Sequence, residues 1–313
     1  MRVSVLVPTF NRKEKLEKCL DSLIFQDFDG NYEVIVIDDG STDGTRSFLE
    51  DMGKNNEILK YFFQENKGPA SARNKGIEES KGEIIFLTDD DVVMPEDWIS
   101  SFLPEYNSEE IGGVGGYIEV PGKERSVFDD FNEKMSKEKY GIDNKKKVGG
   151  FESPAGGTGN MSYRKDILND FRFDEKNFRN PGGEDADLKK RICNAGYKIV
   201  YLPVKGEHLH SLDFFDFIKN SFTRGKGIGS YTKKWNGLPK SIFLLPVAIL
   251  TFLLGYFSFF FPIVFLILVF SYGFLKTKDI SDTFFENLIF TSIYWCKKLS
   301  ESIGVLMVYL KWN

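Results

Sequence analysis

The chain has 313 residues, a formal net charge of −5 and a pI of about 5.4. That length supports a sizeable core and one or two domains, and the acidic balance argues against a nucleic-acid partner. Three widely separated cysteines, Cys19, Cys193 and Cys296, exclude a fully paired disulfide framework and point to a reducing compartment.

Val3 to Val7 is a β-branched run broken by Pro8. It is too short for a signal peptide and is read as the first strand of an unsecreted domain. Arg12 to Ile24 carries Leu16, Cys19, Leu20 and Leu23 at helical spacing. Glu33 to Ile37 is a second strand, followed by a polar turn and a helix from about Thr42 to Met52. A third strand, Ile58 to Phe63, precedes a helix from about Pro69 to Ser80, and Glu83 to Leu87 is the fourth strand. Apolar strands alternating with helices predict an α/β domain with a Rossmann-like, mostly parallel sheet and helices on both faces. From Ile111 the pattern loosens. Ile111 to Val120 reads as a glycine-rich strand, Ser126 to Lys147 as a charged, mobile stretch, Leu188 to Ala195 as a helix and Lys198 to Leu202 as a strand.

The last third differs. Ile242 to Leu275 is a run of 34 residues without a charge. One spanning helix needs about 20 residues, so the run suits a hairpin of two short spans turning at Phe257–Pro262. Lys233, Lys234 and Lys240 precede it and Lys276 and Lys278 follow, which by the positive-inside rule places both ends in the cytoplasm. The alternative is a buried helical hairpin in a soluble fold. In the tail from Phe284, residues Phe285, Leu288, Ile289, Tyr294, Leu299 and Ile303 recur at roughly helical spacing among charges. Such a helix lies in the membrane interface or packs on the hairpin.

Ligands of open parallel sheets bind beyond the carboxyl ends of the strands. Three polar clusters fall at such ends: Pro8-Thr9-Phe10-Asn11-Arg12, Asp38-Asp39-Gly40-Ser41-Thr42-Asp43 and Asp89-Asp90-Asp91. Three adjacent carboxylates repel one another, and hard oxygen ligands suit Mg²⁺ or Mn²⁺ bridging to phosphate. The other reading is an acidic turn before Pro95-Glu96-Asp97. An aromatic such as Phe10 can cover a base, and Asp39 can accept from a base N–H or a ribose hydroxyl. No G-x-G-x-x-G follows strand one and no P-loop occurs.

Gly182-Gly183-Glu184-Asp185-Ala186-Asp187-Leu188 opens a helix with an acidic first turn, which serves either the helix dipole or a general base. Gly156-Gly157-Thr158-Gly159-Asn160 is either a loop that a substrate approaches or a plain glycine turn. His208 and His210 are the only histidines. On an extended chain both rings share one face, and one imidazole could complete a metal shell.

These motifs, with Gly68-Pro69-Ala70-Ser71-Ala72-Arg73-Asn74-Lys75-Gly76 between them, resemble family 2 glycosyltransferases of the GT-A fold, over about residues 1 to 230. The resemblance implies an inverting transfer from a nucleotide-diphosphate sugar with a divalent metal. It places nucleotide-sugar recognition on Pro8, Thr9, Phe10, Asp39, Arg73, Asp89 and Asp90. It places the metal on Asp90 or Asp91 with His208, the general base on Asp185, and the acceptor and sugar loop on Gly157, Thr158, Gly159, Asn160 and Glu184. One departure stands out: members with the usual D-x-D carry an acid where Thr88 stands.

The expected layout is a catalytic domain over 1–230, a linker over 231–241, a transmembrane hairpin over 242–275 and an amphipathic segment over 276–313. A multi-pass protein with a cytoplasmic catalytic domain most readily reaches a lipid-linked or polysaccharide acceptor. The rival classes are a metal-dependent sugar-phosphate nucleotidyltransferase, which would want a basic glycine-rich triphosphate loop, and a non-catalytic nucleotide-sugar-binding membrane module.

Overall fold

The computed structural model describes residues 2–122, 125–155, 157–179, 181–239, 242, 244 and 260–310. Gly156 of the glycine loop, the end of the expected linker and most of the hairpin's first half lie outside them. The chain divides into two compact units. One holds residues 1–124 and 140–211, the other 125–139 and 212–313.

The first unit alternates strands and helices. It opens with β1 (Val3–Thr9), α1 (Lys13–Ile24), β2 (Tyr32–Asp38), α2 (Thr45–Lys54), β3 (Leu59–Phe63), α3 (Pro69–Glu79), β4 (Ile84–Thr88), the short β5 (Val92–Val93) and α4 (Trp98–Phe102). Then come β6 (Ile111–Glu119) and, after the helix α5 (Val127–Tyr140), β7 (Lys147–Gly149) and β8 (Asn160–Arg164). Helices α6 (Lys165–Asp170) and α7 (Glu184–Asn194) precede β9 (Lys198–His208). The strand order is β3-β2-β1-β4-β8-β6-β9-β5, with β7 also on β9.

Alternation along the strands sorts the core into two faces. Val3, Val5, Val7, Val34, Val36, Ile84 and Phe86 pack with α1, α2 and α4. Leu6, Ile35, Ile37, Ile85 and Leu87 pack with α3, α6 and α7. Helices therefore cover both faces, as expected of an α/β domain.

The sheet itself is mixed rather than mostly parallel. From β3 to β4 it is parallel. Strand β8 then enters antiparallel to β4, β6 runs antiparallel to β8, and β9 runs parallel to β6. Two reversals return β6 and β9 to the direction of β4. The carboxyl ends of β1, β2, β4 and β9 and the start of β8 thus share one edge.

Residues expected to be mobile form α5, in the second unit. Phe128, Phe131 and Met135 on its inner face join Phe217, Ile280, Phe290, Ile293 and Tyr294 in a separate core. That unit adds α8 (Phe214–Lys234), α9 (Phe260–Thr277) and α10 (Phe284–Tyr309). Asp213 caps α8 by accepting from Asp216 N, and Thr283 caps α10 by accepting from Glu286 N. Helix α10 turns Asn287, Thr291, Ser300 and Glu301 inward with Phe290 and Val305, while Phe285, Ile289 and Ile303 face outward. The tail is helical as expected, with its predicted apolar stripe mostly on the outside. Among the described residues, no helix is long and apolar enough to cross a membrane.

Candidate active site

The three aspartates divide between two arginines, Asp89 on Arg73 and Asp90 with Asp91 on Arg12. Thr88 ends β4 with its side chain fully buried, and its hydroxyl donates to Gly159 O at 3.0 Å. The chain then turns. Asp89 Oδ1 accepts from Arg73 Nη2 at 3.0 Å. Asp90 is buried and accepts from Thr9 Oγ1 at 2.7 Å and Arg12 Nη1 at 3.0 Å. Asp91 Oδ2 accepts from the same Arg12 nitrogen at 2.6 Å. Burial pushes the Asp90 carboxyl up to about 6, against the pull of Arg12 and Thr9.

Strand β9 runs on to His208, six residues past the expected end, because β6 pairs with it as far as Glu207. Its direction brings His208 to the edge where β4 ends. His208 Nε2 lies 3.6 Å and His210 Nδ1 3.7 Å from Asp91 Oδ2, with ring centroids 4.3 Å apart. Ligand atoms of Asp91, His208 and His210 all fall within 4.8 Å of one another. One carboxylate oxygen and two imidazoles suit a divalent first-row cation such as Mn²⁺.

Phe10 follows β1 and is half-exposed beside this edge, while Pro8 and Thr9 belong to β1 itself. Asp39 is buried and serves the chain first. It accepts from Gln64 Nε2 at 2.7 Å, Lys67 N at 2.9 Å and Gly68 N at 2.8 Å, which fastens the loop before α3. Gly68 sits at φ +92°, and a Cβ there would lie 2.2 Å from Arg179 O, so only glycine fits.

Arg73 on α3 ties the crevice together. Its buried guanidinium reaches Asp89 and, at 3.1 Å, Glu184 Oε1. Glu184 begins α7, because Gly183 in a left-handed conformation starts that helix four residues before the expected Leu188. The other oxygen of Glu184 accepts from Gly182 N at 2.7 Å. Asp185 follows, and burial with the neighbouring Glu184 charge pushes its carboxyl up to about 6. A methyl group on Gly157 would lie 4.0 Å from Asp185 Oδ2, and one on Gly159 would lie 3.0 Å from Asp89 Oδ2. The glycine loop therefore runs between the base candidate and the triplet.

Not every expected site residue faces this space. Asn160 is buried; its amide donates to Tyr117 O and Val204 O and accepts from Trp98 Nε1, which ties β8 to β6 and β9. Thr158 is buried too. Two residues at the site were missed in the sequence. Arg12 stands in the polar cluster after strand one, where the sequence assigns it no role of its own. His210 shared the His-x-His signal with His208, yet only His208 matched a motif position.

The model for glycosyl transferase family 2 matches residues 4–172. The chain belongs to glycosyl transferase family 2. Glycosyltransferase AglE of Haloferax volcanii is 30% identical over 232 residues, 72% of each chain. A GalNAc(5)-diNAcBac-PP-undecaprenol beta-1,3-glucosyltransferase of Campylobacter jejuni is 31% identical over 57% of each chain. A solved mannosyltransferase of Pyrobaculum calidifontis, in complex with GDP-Man and Mn²⁺, shares the fold at a TM-score of 0.65 and 19% identity over 99% of this chain and 88% of that one. GalNAc-T7 with UDP, GalNAc and Mn²⁺ superposes at a TM-score of 0.54 and 19% identity, covering 68% of this chain and 44% of that one. The fold is thus GT-A, and this glycosyltransferase moves a sugar to an acceptor.

Proposed function

We propose that this family 2 glycosyltransferase is an inverting, metal-dependent enzyme. It takes a sugar from a nucleoside-diphosphate donor and passes it to a lipid-linked or polysaccharide acceptor at the cytoplasmic face of a membrane. The observation that carries the reading is the shared strand edge. There the Asp91–His208–His210 cluster and Asp185 stand in one frame, locked by the Arg73 bridge between Asp89 and Glu184.

Phe10 covers the base at the end of β1. Asp39 and Asp89 face the nucleoside side, and Arg73 holds Asp89 in place. Asp91, His208 and His210 hold the divalent ion, with Asp90 behind them. When bound, that ion offsets the charge of the departing diphosphate. Asp185 takes the proton of the acceptor hydroxyl as its oxygen attacks the anomeric carbon opposite the nucleotide. The raised Asp185 pKa suits a base that works near neutral pH.

Two features support a membrane site. On α9, Leu266, Ile267, Leu268, Phe270 and Leu275 are exposed, next to Lys276 and Lys278. Phe285, Ile289 and Ile303 are exposed on α10. The undecaprenol-linked substrate named for the Campylobacter jejuni relative points to the same class of acceptor.

A panel of UDP and GDP sugars, screened by thermal shift of the full chain with and without Mn²⁺, tests the donor reading. Stabilisation by one nucleotide sugar that depends on Mn²⁺ is expected. No response to any donor with Mn²⁺ present would sink it.

A further inference from the structure

We propose that Arg12 is a displaceable counter-charge that couples uptake of the divalent ion to binding of the nucleoside diphosphate. The proposal rests on the metal-dependent reading above and deepens it.

The observation is a conflict over one atom. Asp91 Oδ2 accepts from Arg12 Nη1 at 2.6 Å and is also the oxygen that faces His208 and His210. The same guanidinium nitrogen bridges to Asp90 Oδ1 at 3.0 Å. A second cation stands on the other side, where Lys15 Nζ is 3.1 Å from His210 Nδ1. Two single positive charges from the start of α1 therefore occupy the electrostatic place of one divalent ion. An ion at Asp91 and the guanidinium repel each other, so Arg12 has to leave before the ion is held.

Arg12 is built to move. Its backbone is fixed, since its carbonyl accepts from Lys15 N at 3.1 Å and Leu16 N at 3.0 Å. The loop before it is tied to the next strand end by Asn11, which accepts from Thr42 N at 2.7 Å. The Arg12 side chain, by contrast, is 45% exposed. Released from Asp91, it stays beside the site with five unpaired donors, and phosphate oxygens are the natural partner for that fork. Ion alone costs the site its Arg12 bridge. Ion with a diphosphate gives the guanidinium a new partner. The two ligands consequently bind in mutual dependence, and the coupling is reciprocal.

The test titrates Mn²⁺ into the full-length protein, followed by calorimetry or by the electron paramagnetic resonance of free Mn²⁺, with and without UDP or GDP. Wild type binds Mn²⁺ weakly alone and about tenfold more tightly with the nucleotide, within the usual range of coupling. Arg12→Gln tightens Mn²⁺ alone by about tenfold and loses most of the nucleotide-dependent gain. Arg12→Lys, which keeps the charge but on a shorter stem and without the planar fork, guards against a folding failure and tightens Mn²⁺ by about threefold. Unchanged or weaker Mn²⁺ binding in both variants overturns the proposal while leaving the metal site standing. Absence of Mn²⁺ binding by wild type, with or without nucleotide, overturns both.

Discussion

Thr88 stands where the D-x-D pattern of the resemblance expects an acid, and its surroundings suit a hydroxyl. Its hydroxyl lies in the sheet, bonded to Gly159 O, and faces no solvent. Thr88→Asp would bury a carboxylate against a carbonyl oxygen and should cost about 3 kcal/mol or more of stability by urea denaturation. A midpoint unchanged from wild type would show that the strand end can open toward the site. Asp185 makes a second prediction. A base must be ionised, so transfer should fall as pH drops through about 6, the value to which burial pushes its carboxyl. Stability runs the other way. A raised carboxyl binds its proton more tightly folded than unfolded, so this group's contribution is present below about 4 and lost as pH rises through about 6. Asp185→Asn should abolish transfer, keep the Mn²⁺-dependent thermal shift with donor, and raise Tm by roughly 2–4 °C at pH 8. Near-normal turnover in that variant removes Asp185 as the base.

Helix α7 shows how one face of an element carries chemistry and support together, since residues four apart share a face. One turn after Asp185, Lys189 is buried and donates to Ser153 O at 2.6 Å and Ala155 O at 2.5 Å. Burial pushes its ammonium down to about 8. The same helix thus holds the base candidate and pins the segment leading into the glycine loop. Lys189→Met should leave two buried carbonyls unpaired and speed hydrogen exchange over residues 151–155 about tenfold, roughly 1.4 kcal/mol of local stability. The nucleotide-dependent thermal shift should persist, and loss of that shift would mean that Lys189 serves the donor side. Lys189 was illegible in the sequence, because only the fold sets it against a distant loop. The strands and helices up to β4 were legible, since buried strands are continuous apolar runs. Helix α5 was not: its charges hid Phe128, Phe131 and Met135, which gain a core only from residues 82 to 166 positions later. The extension of β9 was hidden too, because Lys205 and Glu207 break the apolar pattern while β6 still pairs with them.

At the scale of the molecule, reading strands one by one could not supply the direction of β8. Its antiparallel entry makes the sheet mixed and carries the loop from Gly157 and the end of β9 to the same edge as the triplet. Motif order marked the candidate residues, and topology decided which of them meet. The second unit bears on where the enzyme works. With Leu268, Leu275 and Phe285 facing outward, the full chain should float with vesicles containing anionic phospholipid and remain bound in high salt, as apolar insertion is insensitive to screening. Recovery of all protein in the unbound fraction would contradict a membrane site.

The Arg73 bridge also orders events during synthesis. Arg73 meets Asp89 only 16 residues on, yet its other partner, Glu184, lies 111 residues away. A nascent chain that has emerged only as far as residue 172, the end of the family match, can complete the parallel strands while the guanidinium still lacks its second carboxylate. Closing that contact bears the loop-entropy cost of long sequence separation. The Arg73 crevice therefore acquires its final shape only after α7 is made, so on the proposed donor reading competence to bind nucleotide reports that the first unit has finished folding.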